Sequence, residues 1–127
     1  MAPLRIALIG CGWVNGKHAG HLHDLPDEAR LVAFADPTTT RAAEMAARYG
    51  APGSEVFSDH RELFAAVPLD AVVIGIPPFA HSDEVDMAAQ RGIHVFIEKP
   101  IALTPDKAWR MVDVVEKAGV VTQVGFM

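Results

Sequence analysis

Cysteine is almost absent: Cys11 stands alone in 127 residues. No internal disulfide can form, and nothing calls for an oxidising compartment. Positive charge is also scarce, with 11 Lys and Arg against 16 Asp and Glu and a formal net charge of −5. Binding along a phosphate backbone needs clustered Lys and Arg, so nucleic acid is disfavoured as a partner. No apolar run reaches the ~20 residues of a membrane span. Met1 to Gly10 lacks the basic lead and long apolar core of a secretion signal. These absences point to a soluble, cytoplasmic protein without a membrane partner. Half the residues are hydrophobic and 21% are charged, enough to bury a core, and the length fits one domain, residues 1–127.

What is present is alternation. Leu4 to Ile9 reads as a buried strand broken by Gly10, and Val14, His18, Leu22 and Leu25 then share one helical face. Leu31 to Ala35 is a second strand, followed by a helical stripe of Ala42, Met45, Ala46 and Tyr49 that ends at Gly50. A short strand around Val56 and a helix through Leu63 and Phe64 come next. Ala71 to Ile74 and His94 to Ile97 are apolar strands flanking a helix from Ser82 to about Gln90. Thr104-Pro105 is a helix start, with a capping hydroxyl and a proline at the first position. That helix turns Ala108, Met111, Val112 and Val115 inward, ends at Lys117 to Gly119, and precedes a last strand from Val120 to Val124. Strands apolar on both faces and separated by helices specify an α/β fold, a parallel sheet covered on both sides.

The turn after the first strand carries Gly10-Cys11-Gly12-Trp13-Val14-Asn15-Gly16. A doubly wound dinucleotide fold places its phosphate loop there, with Gly10 allowing the tight turn and Gly12 letting backbone N–H groups approach a pyrophosphate. Asp36 closes the second strand at the distance where such folds hold a carboxylate for the adenosine ribose. A carboxylate there repels a 2′-phosphate, which favours NAD over NADP. Arg41 lies near enough to bear on that preference, although its pattern sets it on the exposed face of the next helix. The expected architecture is therefore a Rossmann domain with strand order 3-2-1-4-5-6 and the glycine loop at the switch point. Ile76-Pro77-Pro78-Phe79-Ala80-His81 and Glu98-Lys99-Pro100 both follow strands at their carboxyl ends, the ligand-binding edge of an open α/β sheet.

Taken in order, Gly10-Cys11-Gly12, Asp36, Pro77 with His81, Glu98-Lys99-Pro100 and Gln123-Val124-Gly125-Phe126 resemble the Gfo/Idh/MocA oxidoreductases, the glucose-fructose oxidoreductase and inositol dehydrogenase relatives. The resemblance spans the chain, and the Glu-Lys-Pro triplet is its most specific part. It implies a nucleotide-binding domain followed by a larger α/β substrate domain. It also implies that the triplet lysine lies by the nicotinamide and the reacting hydroxyl, and that the following proline is often cis. Carried over, Lys99 is the candidate catalytic residue. Gly10, Cys11, Gly12, Trp13, Val14, Asp36, Ile76, Pro77, His81, Glu98 and Lys99 are candidates for cofactor contact, with no metal. The further catalytic Asp and His of such enzymes belong to the second domain, as does any homo-oligomer contact. Asn15 departs from the commoner Gly or Ala and puts close helix–strand packing in doubt.

A lysine suits the implied chemistry, because oxidising a secondary alcohol removes a proton as well as a hydride. A free lysine, near pKa 10.4, is a poor base at neutral pH. Burial beside a positive nicotinamide lowers such a group into a useful range. The substrate expected for the longer protein is a sugar or polyol-like molecule. A chain ending on Phe126 and Met127 reads as part of a longer one, and alone it is expected to bind dinucleotide without turning over substrate. Two rivals remain at this point: a non-catalytic dinucleotide sensor, and a methyltransferase, which has no use for Glu98-Lys99-Pro100. Cys11 reads as a small filler, and His18, His21 and His23 are not arranged as a metal site.

Overall fold

A computed structural model describes residues 2–125. Six parallel strands are ordered β3-β2-β1-β4-β5-β6, as expected for a dinucleotide fold. They are β1 (Leu4–Ile9), β2 (Ala29–Ala35), β3 (Glu55–Phe57), β4 (Ala71–Ile74), β5 (His94–Ile97) and β6 (Thr122–Val124). Helices α1 (Trp13–His23), α2 (Thr39–Tyr49), α3 (His60–Ala66), α4 (Glu84–Gln90) and α5 (Pro105–Ala118) make the crossovers, with a 3-10 turn at Pro78–Ala80.

Strand alternation divides the core in two. Ile6, Leu8, Leu31, Phe34 and Val73 face α1 and α2, where Ala19 and Ala42 allow close approach. Ala7, Ile9, Ala33, Val72, Ile74, Val95 and Ile97 face the opposite way, onto Leu63 and Phe64 of α3, Val85 and Ala88 of α4, and Met111 and Val115 of α5.

Two strands and one helix start differently from the pattern. β2 begins at Ala29, two residues early, and a register shift opposite Ile6 and Ala7 skips Val32. α4 begins at Glu84 rather than Ser82, because the Glu84 carboxylate folds back onto the Ser82 N–H at 2.9 Å and holds that residue in the loop. β6 starts at Thr122. The stripe assigned to α1 is also rotated. The helix stops at His23, Leu25 lies beyond it and is exposed, and the buried positions are Asn15 and Ala19. α5 starts at Pro105 with Thr104 Oγ1 accepting the Lys107 N–H, and ends at Gly119 with φ 70°. Phe126 and Met127 lie outside the described residues.

The register lines up the strand ends. Phe57, Ala35, Ile9, Ile74, Ile97 and Val124 are successive partners across all six strands. Just beyond this row, on five of the six strands, stand Asp36, Gly10, Gly75, Glu98 and Gly125, and their N–H groups continue the ladder onto the neighbouring strands. One edge of the sheet thus presents two carboxylates among three glycines.

Candidate dinucleotide site at the carboxyl edge of the sheet

Gly10 turns the chain out of β1 at φ +91°, a conformation glycine adopts without cost. A Cβ there would lie 2.4 Å from the Gly75 carbonyl oxygen. Gly12 differs, since a Cβ on it would meet nothing within 4 Å. As the residue preceding α1, Gly12 offers no side-chain cap, and no acidic residue occupies the first turn. The positive end of α1 therefore faces open space, the arrangement that binds an anionic group.

Asp36 braces this turn. One carboxylate oxygen accepts the Cys11 N–H and the other the Thr38 N–H, both at 2.8 Å. Each oxygen keeps a free lone pair. Cys11 is buried with its Sγ near the Ala35 carbonyl. Burial, then the neighbouring Asp36 charge, push its thiol up to about 12, so it packs as a filler and is not a nucleophile.

Asn15 removes the doubt about helix–strand packing. It is fully buried, and its amide donates to the carbonyls of Ile9 at 3.0 Å and Gly10 at 2.7 Å. The room comes from Gly75, where a Cβ would sit 2.2 Å from Asn15 Oδ1. Here the small residue stands at the facing strand end and not on the helix. Gly75 carried no motif, but a glycine directly after an apolar strand was its signal.

Trp13 is exposed and stacks under Lys17 Nζ at 4.5 Å, and Val14 is half-buried. Trp13 and Cys11 border a groove of about 750 Å³ between α1 and α2, where Arg41 also lies on the exposed face of α2. Lys99 is not among its walls. Ile76 is half-buried and Pro77 exposed after β4. After β5, Glu98 is half-buried and Lys99 exposed, and the Lys99–Pro100 peptide is cis.

His81 stands apart from the glycine turn. It is buried, pairs through Nδ1 with Glu84, and lines a separate cavity of about 60 Å³ with Ser82, Asp86, Lys107 and Arg110. Glu84 is 1% exposed. Burial raises its carboxyl, yet the bonds from His81 and Ser82 outweigh this and hold it below its ordinary 4.5. His60, Asp83 and Glu84 come within 4.8 Å of one another, but Asp83 is already paired with His60 and Arg61. A carboxyl held low stabilises the fold above its unfolded value and loses that contribution as pH falls through the folded one. Glu84→Gln is therefore expected to destabilise the chain at pH 7. It should also flatten the decline in stability below about pH 4.5, read by urea unfolding across pH. A Glu84→Gln chain with an unchanged acid slope would count against the pair.

Sequence reasoning missed His18. From α1 its Nε2 meets Glu98 Oε1 at 2.6 Å, and its ring stands edge-on to Phe96 at 4.9 Å. No local pattern joins residues 18 and 98.

Among the described residues no helix is long and apolar enough to cross a membrane. Residues 4–126 match the oxidoreductase family with NAD-binding Rossmann fold. Inositol 2-dehydrogenase 4 of Saccharopolyspora erythraea is 39% identical over 98% of the chain and 36% of its own length. D-glucoside 3-dehydrogenase of Escherichia coli is 34% identical over 98% of the chain and 35% of its length. The chain thus spans little more than a third of these relatives. The WlbA dehydrogenase of Bordetella pertussis, solved with NADH and UDP-GlcNAcA, superposes with a TM-score of 0.87 at 31% identity, covering 97% of this chain and 37% of that one. With the glycine turn, Asp36 and the triplet on one sheet edge, the chain belongs to the Gfo/Idh/MocA oxidoreductase family, in its NAD-binding Rossmann domain.

Proposed function

We propose that this domain binds NAD in preference to NADP and serves an enzyme that oxidises a hydroxyl of a sugar, polyol or similar small molecule. The carrying observation is the single row of strand ends, which sets the uncapped α1 N-terminus, Asp36 and Lys99 along one edge. The residues fit the cofactor. The space over Gly12 admits a pyrophosphate, and the spare lone pairs of Asp36 can accept ribose hydroxyls. Bound there, NAD supplies the hydride acceptor. Lys99 orients the substrate hydroxyl and takes its proton at Nζ, and Ile76 and Pro77 flank the path between the two ends. Relatives named for inositol and glucoside oxidation support the substrate class. Lys99 is exposed on the open edge, where a second domain can present substrate and bury the lysine. His81, paired through Nδ1 with Glu84, shapes the loop that carries Pro77.

Calorimetry with NAD and NADP tests this reading. Asp36→Asn keeps an acceptor for the loop while removing the charge. Hydrogen bonds to charged groups contribute about 1.5–3 kcal/mol, so NAD should bind roughly 10- to 100-fold more weakly, and the disadvantage of NADP should shrink. A clear preference of the unmodified chain for NADP would end the assignment.

A further inference from the structure

The geometry points to His18 as a positioning residue that holds Glu98 and, through it, the Lys99–Pro100 turn in register with the glycine loop. The inference rests on the dinucleotide reading above and adds a residue to it. His18 lies on α1, five residues after Trp13 opens the helix beyond the glycine turn. Glu98 lies 80 residues away, immediately before Lys99. Their 2.6 Å contact is a side-chain tie between the element that would grip the pyrophosphate and the triplet that would face the reacting carbon.

Three features make this a built contact. A carboxylate only accepts, so Nε2 of His18 carries the proton and donates. The Phe96 ring, edge-on at 68°, limits the orientations open to the imidazole. Gly125 at the end of β6 leaves room for the carboxylate, since a Cβ there would lie 2.8 Å from Glu98 Oε1. Both partners are largely shielded, with 27% and 19% of their side chains exposed. Shielding weakens competition from water and makes the contact more directional than a surface pair. The Glu98 N–H is fixed separately by the Ile74 carbonyl, so the His18 contact sets the side chain and the direction in which the strand leaves the sheet. A displacement of about 1 Å at a reacting group costs on the order of 100-fold in rate, which is the scale on which such a tie acts.

The test uses His18→Ala, His18→Gln, which can still present an N–H, and Gly125→Ala. The last pushes the flexible end of Glu98 aside while both His18 and Lys99 keep their side chains. On this chain the readouts are the NADH dissociation constant and the amide chemical shifts of Lys99 and Ile101. On the enzyme that carries the domain the readout is kcat. His18→Ala and Gly125→Ala are expected to move the Lys99 and Ile101 amides and lower kcat roughly 10- to 100-fold. NADH affinity should stay within about threefold, and His18→Gln should restore most of the loss. In His18→Ala/Glu98→Gln the loss should not exceed that of the worse single variant. Unmoved Lys99 amides, unchanged kcat, or losses that multiply in the double variant would overturn the positioning role. If the unmodified chain fails to bind NADH, the dinucleotide reading falls, and this inference falls with it.

Discussion

Replacing Lys99 by alanine is expected to lower kcat in the enzyme that carries this domain by about 10²- to 10⁴-fold, the range a positioned acid–base group contributes. NAD affinity should change only a few-fold. The separation follows from where the residues sit. The proposed grip on the dinucleotide comes from the turn at Gly10 to Val14 and from Asp36, whereas Lys99 extends, exposed, from the far side of the central strands, after β5. Truncating an exposed side chain at a strand end leaves the core intact, so the thermal midpoint should hold. Steady-state kinetics beside a calorimetric NAD titration make the comparison. Large loss of affinity with kcat preserved would recast Lys99 as a cofactor contact. An undiminished kcat would remove it from the chemistry altogether.

The second large effect concerns the two glycines of the turn, which should fail in different ways. In Gly10→Ala the new residue must hold φ +91°, and its Cβ meets the Gly75 carbonyl oxygen at 2.4 Å and Ile76 Cγ2 at 2.8 Å. Left-handed backbone costs an ordinary residue about 1–2 kcal/mol, and overpacking adds about 1–3 kcal/mol. Together these take a large share of the ~5–15 kcal/mol that holds a domain folded. Gly12→Ala meets nothing, so stability should move by no more than about 0.5 kcal/mol. Its methyl group instead enters the space assigned to the pyrophosphate, and NAD affinity should fall at least tenfold. Urea unfolding and NADH titration of both variants read the contrast. A Gly10→Ala chain as stable as the parent would contradict the geometry. A Gly12→Ala chain that binds NADH normally would move the phosphates elsewhere.

Most of the frame was legible because local rules decide it. Apolar runs of four to seven residues bounded by Gly10, Asp36 and Pro77 are strands wherever they pack, and a Thr104-Pro105 start with a Gly119 stop needs no tertiary partner to declare a helix. The order β3-β2-β1-β4-β5-β6 follows because right-handed crossovers leave few alternatives. α1 was less legible. Its apolar positions suggested a face through Val14, His18 and Leu22, but the close approach at Gly75 selects Asn15 and Ala19 for burial. Small size and hydrogen bonding won there over hydrophobic spacing.

The sequence by itself determined the fold class, the glycine turn with its acid at Asp36, and the triplet holding Lys99, because each is written in neighbouring residues and recurring spacings. Only the tertiary structure decided that Asn15 packs by bonding two carbonyls across from Gly75, and that His81 is tied up by Glu84. It alone decided that His18 meets Glu98 over a gap of 80 residues. Such contacts depend on which strand ends share a row, and that register is set by the whole sheet.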